Sequence, residues 1–319
     1  MTLPFRIGVL QLSMEPLEET IRMAKACEAA GFDTFWLAEA YPWWRKHSME
    51  ARVMQEAAGE NRFLLGLGAS KIFMKEIGQG EKGKEVGPAT VMRESIEIVT
   101  AMLSGRAVEY EGKAFSAFAP TLHSDAHAPR SVPPIYVGAT GPVLQRLAGS
   151  HSDGLLTASI TTPGFVRYSR RNMEEGARKA GRDPATLDLG SVIVGSIHKD
   201  RNKGREGARE MAAMYLANKV QNIRGSADEI LKNAGLTFEE IQPIANAMER
   251  GGRKAAAGAV TDSILDKACP IAGTPDDCIA CIEQYRAAGC THILLELWGE
   301  NREQQAKLFG QAVLPHFKS

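Results

Sequence analysis

No apolar run in this chain of 319 residues approaches the roughly 20 needed to cross a bilayer, which argues against a helical membrane protein. Charge of one sign is missing as well. The 38 basic residues are matched by 38 acidic ones, so no global field draws the protein to nucleic acid or anionic lipid. Cysteine is scarce and odd in number, five in all, which speaks against a disulfide framework and for a reducing cytoplasm. The opening residues, MTLPFRIGVLQL, lack a signal-peptide cleavage pattern and alternate as a first strand would. There is no internal repeat, no low-complexity stretch and no linker, so residues 1–319 read as one domain.

Several chemistries are excluded by missing motifs. No Gly-x-Ser-x-Gly elbow announces a hydrolase. The stretch LGLGASK (65–71) lacks the closing Gly-Lys-Ser/Thr of a P-loop and the third glycine of a dinucleotide fingerprint. His47, His123, His127, His151, His198, His292 and His316 show no metal-ligand spacing. Cys278 and Cys281 resemble half of a zinc site, but they fall inside a helix opened by Thr274 and Pro275, and no second pair exists. No metal is expected.

What is present is alternation. Apolar strand-like runs at 6–12, 34–38, 62–68, 133–140, 154–159, 189–197 and 291–298 are separated by helical patterns at 16–31, 48–58, 88–103, from Pro142 onward, at 163–180 and at 274–289. A last helix closes the chain, and residues 203–268 read as helical throughout. Strands alternating with helices imply parallel β-α-β units of the α/β class. Strands without a polar face suit either a closed barrel or an open doubly wound sheet. Small or polar residues at Glu39, Gly68-Ala69-Ser70, Gly138-Ala139-Thr140 and Thr157-Ala158-Ser159 end the strands, which favours the barrel, where such ends share the catalytic face.

Three stretches are candidate sites. In YVGATGPVLQRLAG, the small residues Gly138, Ala139, Thr140 and Gly141 would let backbone amides approach a ligand. Pro142 opens a helix whose N-terminus attracts anions. The same residues would equally serve tight strand–helix packing. Gly68, Ala69 and Ser70 have the same character, with Lys71 as a possible phosphate or carboxylate partner. Glu39, with Tyr41, Trp43 and Trp44, could flank a flat aromatic ligand, or could form a loop packed on its own helix.

The segments EAAGFDTFWLAEAY (28–41), RFLLGLGASK (62–71), PPIYVGATGPVLQRLAGSHSDGLLTAS (133–159) and residues 257–299 resemble, in order, the bacterial-luciferase-like superfamily of flavin- and deazaflavin-dependent oxidoreductases. Within it the likeness is greatest to the methylenetetrahydromethanopterin reductases, which use coenzyme F420. The resemblance implies a (β/α)8 barrel with a helical insertion, here about 203–268, before the last strand. It implies a cofactor across the C-terminal barrel face, with its phosphate near Gly138 to Gly141, and an acid, Glu39, near the reacting end. Many relatives carry a histidine next, where this chain has Ala40. The implied activity is hydride transfer between F420 and an organic acceptor such as 5,10-methylenetetrahydromethanopterin, with Trp43 and Trp44 as apolar walls. An FMN-dependent monooxygenase or reductase and a non-catalytic flavin-binding member are the alternatives. Relatives are commonly dimeric, so the resemblance implies a homodimer or higher homo-oligomer.

The strand count is one short of that pattern. Seven strands are legible, and Arg45-Lys46 runs directly into a helix that relatives place one helix–strand unit later. The spacing therefore predicts that residues of the molecule are omitted between about Trp44 and Met49, since a true deletion would open a buried parallel sheet.

Overall fold

The computed structural model describes residues 3–12, 17–38, 63–68, 86–104, 106–119, 132–158, 160–221 and 226–318. Glu39, Ala69, Ser70, Lys71, Trp43, Trp44 and the expected interruption at 44–49 lie outside the described residues. The described chain divides into two compact units interleaved in sequence. One comprises 39–156 and 172–187, the other 2–38, 157–171 and 188–319.

In the first unit, strands β3 (Leu65–Gly68), β6 (Ile135–Gly138) and β7 (Gly154–Thr157, to Leu156) form a parallel array in the order β3-β6-β7. Gly68 pairs beside Gly138, and Gly138 beside Leu156, so the strand ends are aligned. The strand expected over 133–140 is confined to 135–138, because Pro133 and Pro134 cannot donate to a ladder and the chain turns after Gly138. Helix α2 (Pro88–Leu103) precedes an antiparallel hairpin, β4 (Val108–Glu111) and β5 (Ser116–Ala119). Buried Glu94 of α2 accepts the N–H groups of Lys113, Ala114 and Phe115 and so fastens the hairpin turn to the helix.

Helix α3 (Pro142–His151) crosses the later half of α4 (Pro163–Lys179) at two glycines. A Cβ on Gly149 would lie 1.9 Å from the Met173 carbonyl oxygen, and one on Gly176 would lie 1.9 Å from that of Arg146. Only a side chain of a single hydrogen permits this approach. The crossing thereby fixes α3, and with it the position of its N-terminus.

The second unit holds β1 (Arg6–Leu12), β2 (Thr34–Ala38), β8 (Asp188–Ile197) and β10 (His292–Leu297) in the parallel order β2-β1-β10-β8. A three-residue strand, β9 (Ile271–Gly273), pairs with the end of β8. It is too short to carry a period, and sequence patterning misses it. Helix α1 (Leu17–Ala30) links β1 to β2, with Glu18 and Glu19 in its first turn, where they complement the helix dipole.

The helical stretch between β8 and β9 resolves into α5 (Arg201–Gln221), α6 (Ser226–Ala234), α7 (Phe238–Ala259) and α8 (Asp262–Ala268). Its core of Phe165, Leu216, Ile230, Ile241, Ile244 and Leu265 is buried. After β9 come α9 (Pro275–Ala287), β10, α10 (Arg302–Ala312) and α11 (Leu314–Phe317). The insertion thus precedes β9 first and the last strand, β10, only after α9.

Candidate active site

In the first unit the aligned ends of β3 and β6 carry Gly68 and Gly138, and the chain continues through Ala139 and Thr140 to Gly141. Gly141 caps α3 in an extended conformation (φ −90°, ψ 148°), Pro142 occupies the first turn, and no side chain caps the helix. A Cβ placed on Gly68 or on Gly141 would meet no atom of the described residues within 4 Å. Ala139 donates its N–H to the Leu156 carbonyl at 2.9 Å and holds the turn to β7.

Behind this turn Gln145, fully buried, donates from Nε2 to the Thr140 carbonyl at 3.3 Å and accepts from Asn172 Nδ2 at 2.8 Å. The helix itself therefore grips the Thr140 carbonyl. Four of the site residues expected from sequence, Gly138 to Gly141, are brought together with Gly68 at one edge. Gln145 and Asn172, which brace them, were not legible, because a glutamine in a helix carries no signal until its partners are known.

A groove of about 430 Å³ runs along α3, lined by Val143, Arg146, Leu147 and Ser150 with Ala89, Gly176 and Lys179. None of the strand-end residues lines it.

In the second unit two polar clusters occupy opposite ends of the parallel strands. At the N-terminal ends, Asp188 of β8 binds the Arg6 guanidinium of β1 and the Thr291 hydroxyl, and faces His292 Nδ1 of β10 at 3.4 Å. The imidazole Nε2 lies 2.7 Å from the Thr34 hydroxyl of β2, so a proton on Nδ1 suits both neighbours. Burial pushes the Asp188 carboxyl up, but His292, Arg6 and Thr291 outweigh it and hold the group well below the usual carboxylate range. Clusters at this end of parallel α/β strands serve stability rather than chemistry.

Toward the C-terminal ends lies Glu296 of β10, only 2% exposed. One of its oxygens accepts from the Tyr215 hydroxyl at 2.6 Å, while its Oε1 and the neighbouring Trp298 Nε1 are buried with no hydrogen bond of ordinary length among the described residues. Burial raises the carboxyl above its ordinary range, against the opposing pull of Tyr215 and of the nearby Trp298 indole. The acid stood in plain view within an apolar strand, and its isolation among LLEL was the available signal. Thr157 at the end of β7 bonds to the Gly190 carbonyl and to Ser191 Oγ at 3.0 Å, so it is committed to strand packing.

Because the folded Glu296 carboxyl keeps its proton to higher pH than the unfolded one, its contribution is full below the ordinary carboxylate range. It falls as pH rises toward the folded value. Glu296→Gln carries no such proton. The variant is expected to melt within about 1 kcal/mol of the wild type at pH 5 and to gain on it by pH 8.5. Parallel melting curves at the two pH values with no relative gain would contradict the shift.

Comparison with known proteins gives one consistent direction. The sequence profile of the luciferase-like monooxygenase family matches residues 49–292. The chain is 35% identical over 243 residues to the 5,10-methylenetetrahydromethanopterin reductase of Methanopyrus kandleri, covering 75% of this chain and 66% of that protein, just under two thirds of its length. It is 31% identical over 272 residues to the enzyme of the same name from Archaeoglobus fulgidus, covering 83% and 76%. The structure is similar, with a TM-score of 0.81 and 25% identity, to that of the coenzyme F420 dependent tetrahydromethanopterin reductase from Methanopyrus kandleri, covering 99% of this chain and 100% of that one. The fold is therefore the luciferase-like (β/α)8 type, of the α/β class.

Proposed function

The chain belongs to the luciferase-like monooxygenase family, and from that premise we propose that it is an oxidoreductase transferring a hydride between coenzyme F420 and an organic acceptor. The observation that carries this is the 31% identity over 272 residues to a methylenetetrahydromethanopterin reductase. The acceptor is 5,10-methylenetetrahydromethanopterin or a related one-carbon carrier. Bound F420 supplies a two-electron hydride donor or acceptor, and the protein's task is to orient the reactants and exclude water.

The residues at the strand ends fit such a group. Gly141 and the first turn of α3, uncapped by any side chain, would hold the phosphate, with Gly138, Ala139 and Thr140 forming the backbone floor. Gly68, Ala69, Ser70 and Lys71 would line the neighbouring edge. Glu39 would hold or relay a proton near the reacting end, and Trp43 and Trp44 would wall it. Five cysteines, none of them paired among the described residues, support a cytoplasmic location, and no described helix is long and apolar enough to cross a membrane. A homodimer or higher homo-oligomer is the assembly we assign.

Separate titrations of the purified protein with F420 and with FMN test the reading, followed by single-turnover hydride transfer to a methylene-pterin acceptor. Tighter binding of FMN would replace it with a flavin-dependent monooxygenase or reductase. Binding of either cofactor without turnover on any acceptor would favour a non-catalytic flavin-binding protein.

Gly141→Val probes the phosphate position without disturbing the protein. The backbone already has φ and ψ suited to a β-branched residue, and the new Cβ meets none of the described residues within 4 Å. The methyls instead occupy the space the phosphate would need, and F420 affinity is expected to fall at least about tenfold, or ~1.4 kcal/mol. An equilibrium titration giving the wild-type affinity in a folded variant would move the phosphate elsewhere.

A further inference from the structure

We propose that Cys269 and Cys281 form a redox-active pair that closes to a disulfide on exposure to a hydroperoxide. The two sulfurs lie 3.7 Å apart, although the residues come from different elements 12 positions apart in sequence. Cys269 ends α8, and Cys281 sits in the middle of α9, on the far side of β9. A disulfide needs the sulfurs at about 2.05 Å, so the existing contact must close further for the bond to form.

The backbone is held in place from α9 itself. Tyr285, one turn beyond Cys281 and fully buried, shares its single hydroxyl proton between the Cys269 carbonyl at 2.6 Å and the Thr161 carbonyl at 2.7 Å. Cys269 adopts a left-handed conformation (φ 52°, ψ 52°), in which its N–H returns to the last turn of α8. Both cysteines of the pair are partly exposed, whereas Cys27, Cys278 and Cys290 are buried.

The thiols also differ in acidity. Cys281 as a hydrogen-bond donor holds the Cys269 thiol below its ordinary value, against the effect of burial. Its own pKa is raised, by the Cys269 contact and by burial. Burial pushes Cys27 up to about 12, Cys290 up to about 11, and Cys278 higher still. Cys269 is therefore the thiolate the chain supplies most readily at neutral pH, and thiolate is the reactive form. Cys278, although only three residues from Cys281 on the same helix, is the less reactive neighbour.

The chemistry balances with hydrogen peroxide as oxidant. The Cys269 thiolate attacks one peroxide oxygen; an S–O bond forms, the O–O bond breaks, and hydroxide leaves and becomes water, giving a sulfenic acid. Cys281, deprotonated, attacks that sulfur; the S–S bond forms, the S–O bond breaks, and a second water departs. Two thiols lose two electrons and two protons, and one peroxide becomes two waters. The bond would staple the end of the helical insertion to α9.

The experiment uses the native full-length protein. After mild treatment with hydrogen peroxide, the protein is unfolded and its thiols are alkylated. Two of the five cysteines are expected to escape alkylation and to be recovered by dithiothreitol. Cleavage before Asp276 and Asp277 separates Cys269 from Cys278 and Cys281, so the two fragments should stay joined until reduced, with fragmentation placing the bond on Cys281. In Cys281→Ser, Cys269 should instead be trapped as a sulfenic acid by dimedone, and Cys278→Ser should form the bond unchanged. Five alkylatable thiols after peroxide would overturn the proposal. So would a bond between Cys278 and Cys281, or loss of Cys269 to higher oxides without a link.

Discussion

Glu39→Gln is expected to lower hydride-transfer turnover by about 10²–10⁴ while leaving the melting temperature almost unchanged. The last residue of β2, Ala38, pairs with Leu12 at the C-terminal edge of the parallel strands. Glu39 is the next residue in the chain, followed by Ala40, Tyr41 and then Trp43 and Trp44. With alanine at the position where an imidazole would offer a second acid–base group, no histidine lies within 38–44, and the carboxylate is the group there able to move a proton near neutral pH. Glutamine keeps the size and the hydrogen-bonding oxygen but cannot accept the proton. A carboxylate that relays a proton in the transition state should therefore appear in kcat, with KM and F420 affinity nearly preserved. A variant that loses several degrees of stability yet turns over at the wild-type rate would make Glu39 a structural ion-pair partner instead.

The elements most legible in sequence were those whose signals are local. Helix α9 announces itself by Thr274 and Pro275 at its start and by Gly289 after its end, and the structure adds a reciprocal cap between Thr274 and Asp277. Strands β8 and β10 are read directly from LGSVIVGSI and HILLEL. The turn from Gly138 to Pro142 was legible because four small residues end an apolar strand directly before a helix-opening proline. Elements defined by distant partners were not. The β4–β5 hairpin depends on Glu94, which reaches it from α2, and β9 exists only as an addition to β8. The polar cluster joins Arg6, Thr34, Asp188 and His292, from four separate strands, and no spacing rule connects them. Cys278 and Cys281 drew notice as a spaced pair, yet the neighbour of Cys281 in space is Cys269, because the turn at β9 brings the end of α8 against α9.

Asp188→Ala should destabilise the protein by about 3 kcal/mol, roughly 4–5 °C in the melting midpoint. The carboxylate is 2% exposed and is the common partner of three groups, so its removal disturbs all of them at once. The Arg6 guanidinium loses this carboxylate, and the fully buried His292 loses the acceptor facing Nδ1. Arg6 keeps 24% of its side-chain surface in contact with solvent, which holds the loss near the lower end of what breaking a buried pair costs. The pH dependence follows from two shifts that act in the same direction. Burial keeps His292 less basic than usual, against the pull of Asp188, so the unfolded chain takes up this proton first and stability declines as pH drops below about 6.5. Asp188 is held ionised below its usual range, so its contribution is present above about pH 4 and is lost as pH falls through the lower folded value. Removing Asp188 therefore takes away the deeper acid limb while leaving the decline that begins near neutrality. Asp188→Asn keeps an oxygen for Thr291 and the shape of the site but not the charge, and its midpoint should fall between those of the wild type and the alanine variant. Melting curves from pH 3 to 8 on all three proteins decide the matter. Midpoints for the alanine variant that track the wild type across that range would mean that the cluster, for all its burial, contributes nothing to holding β1, β8 and β10 together.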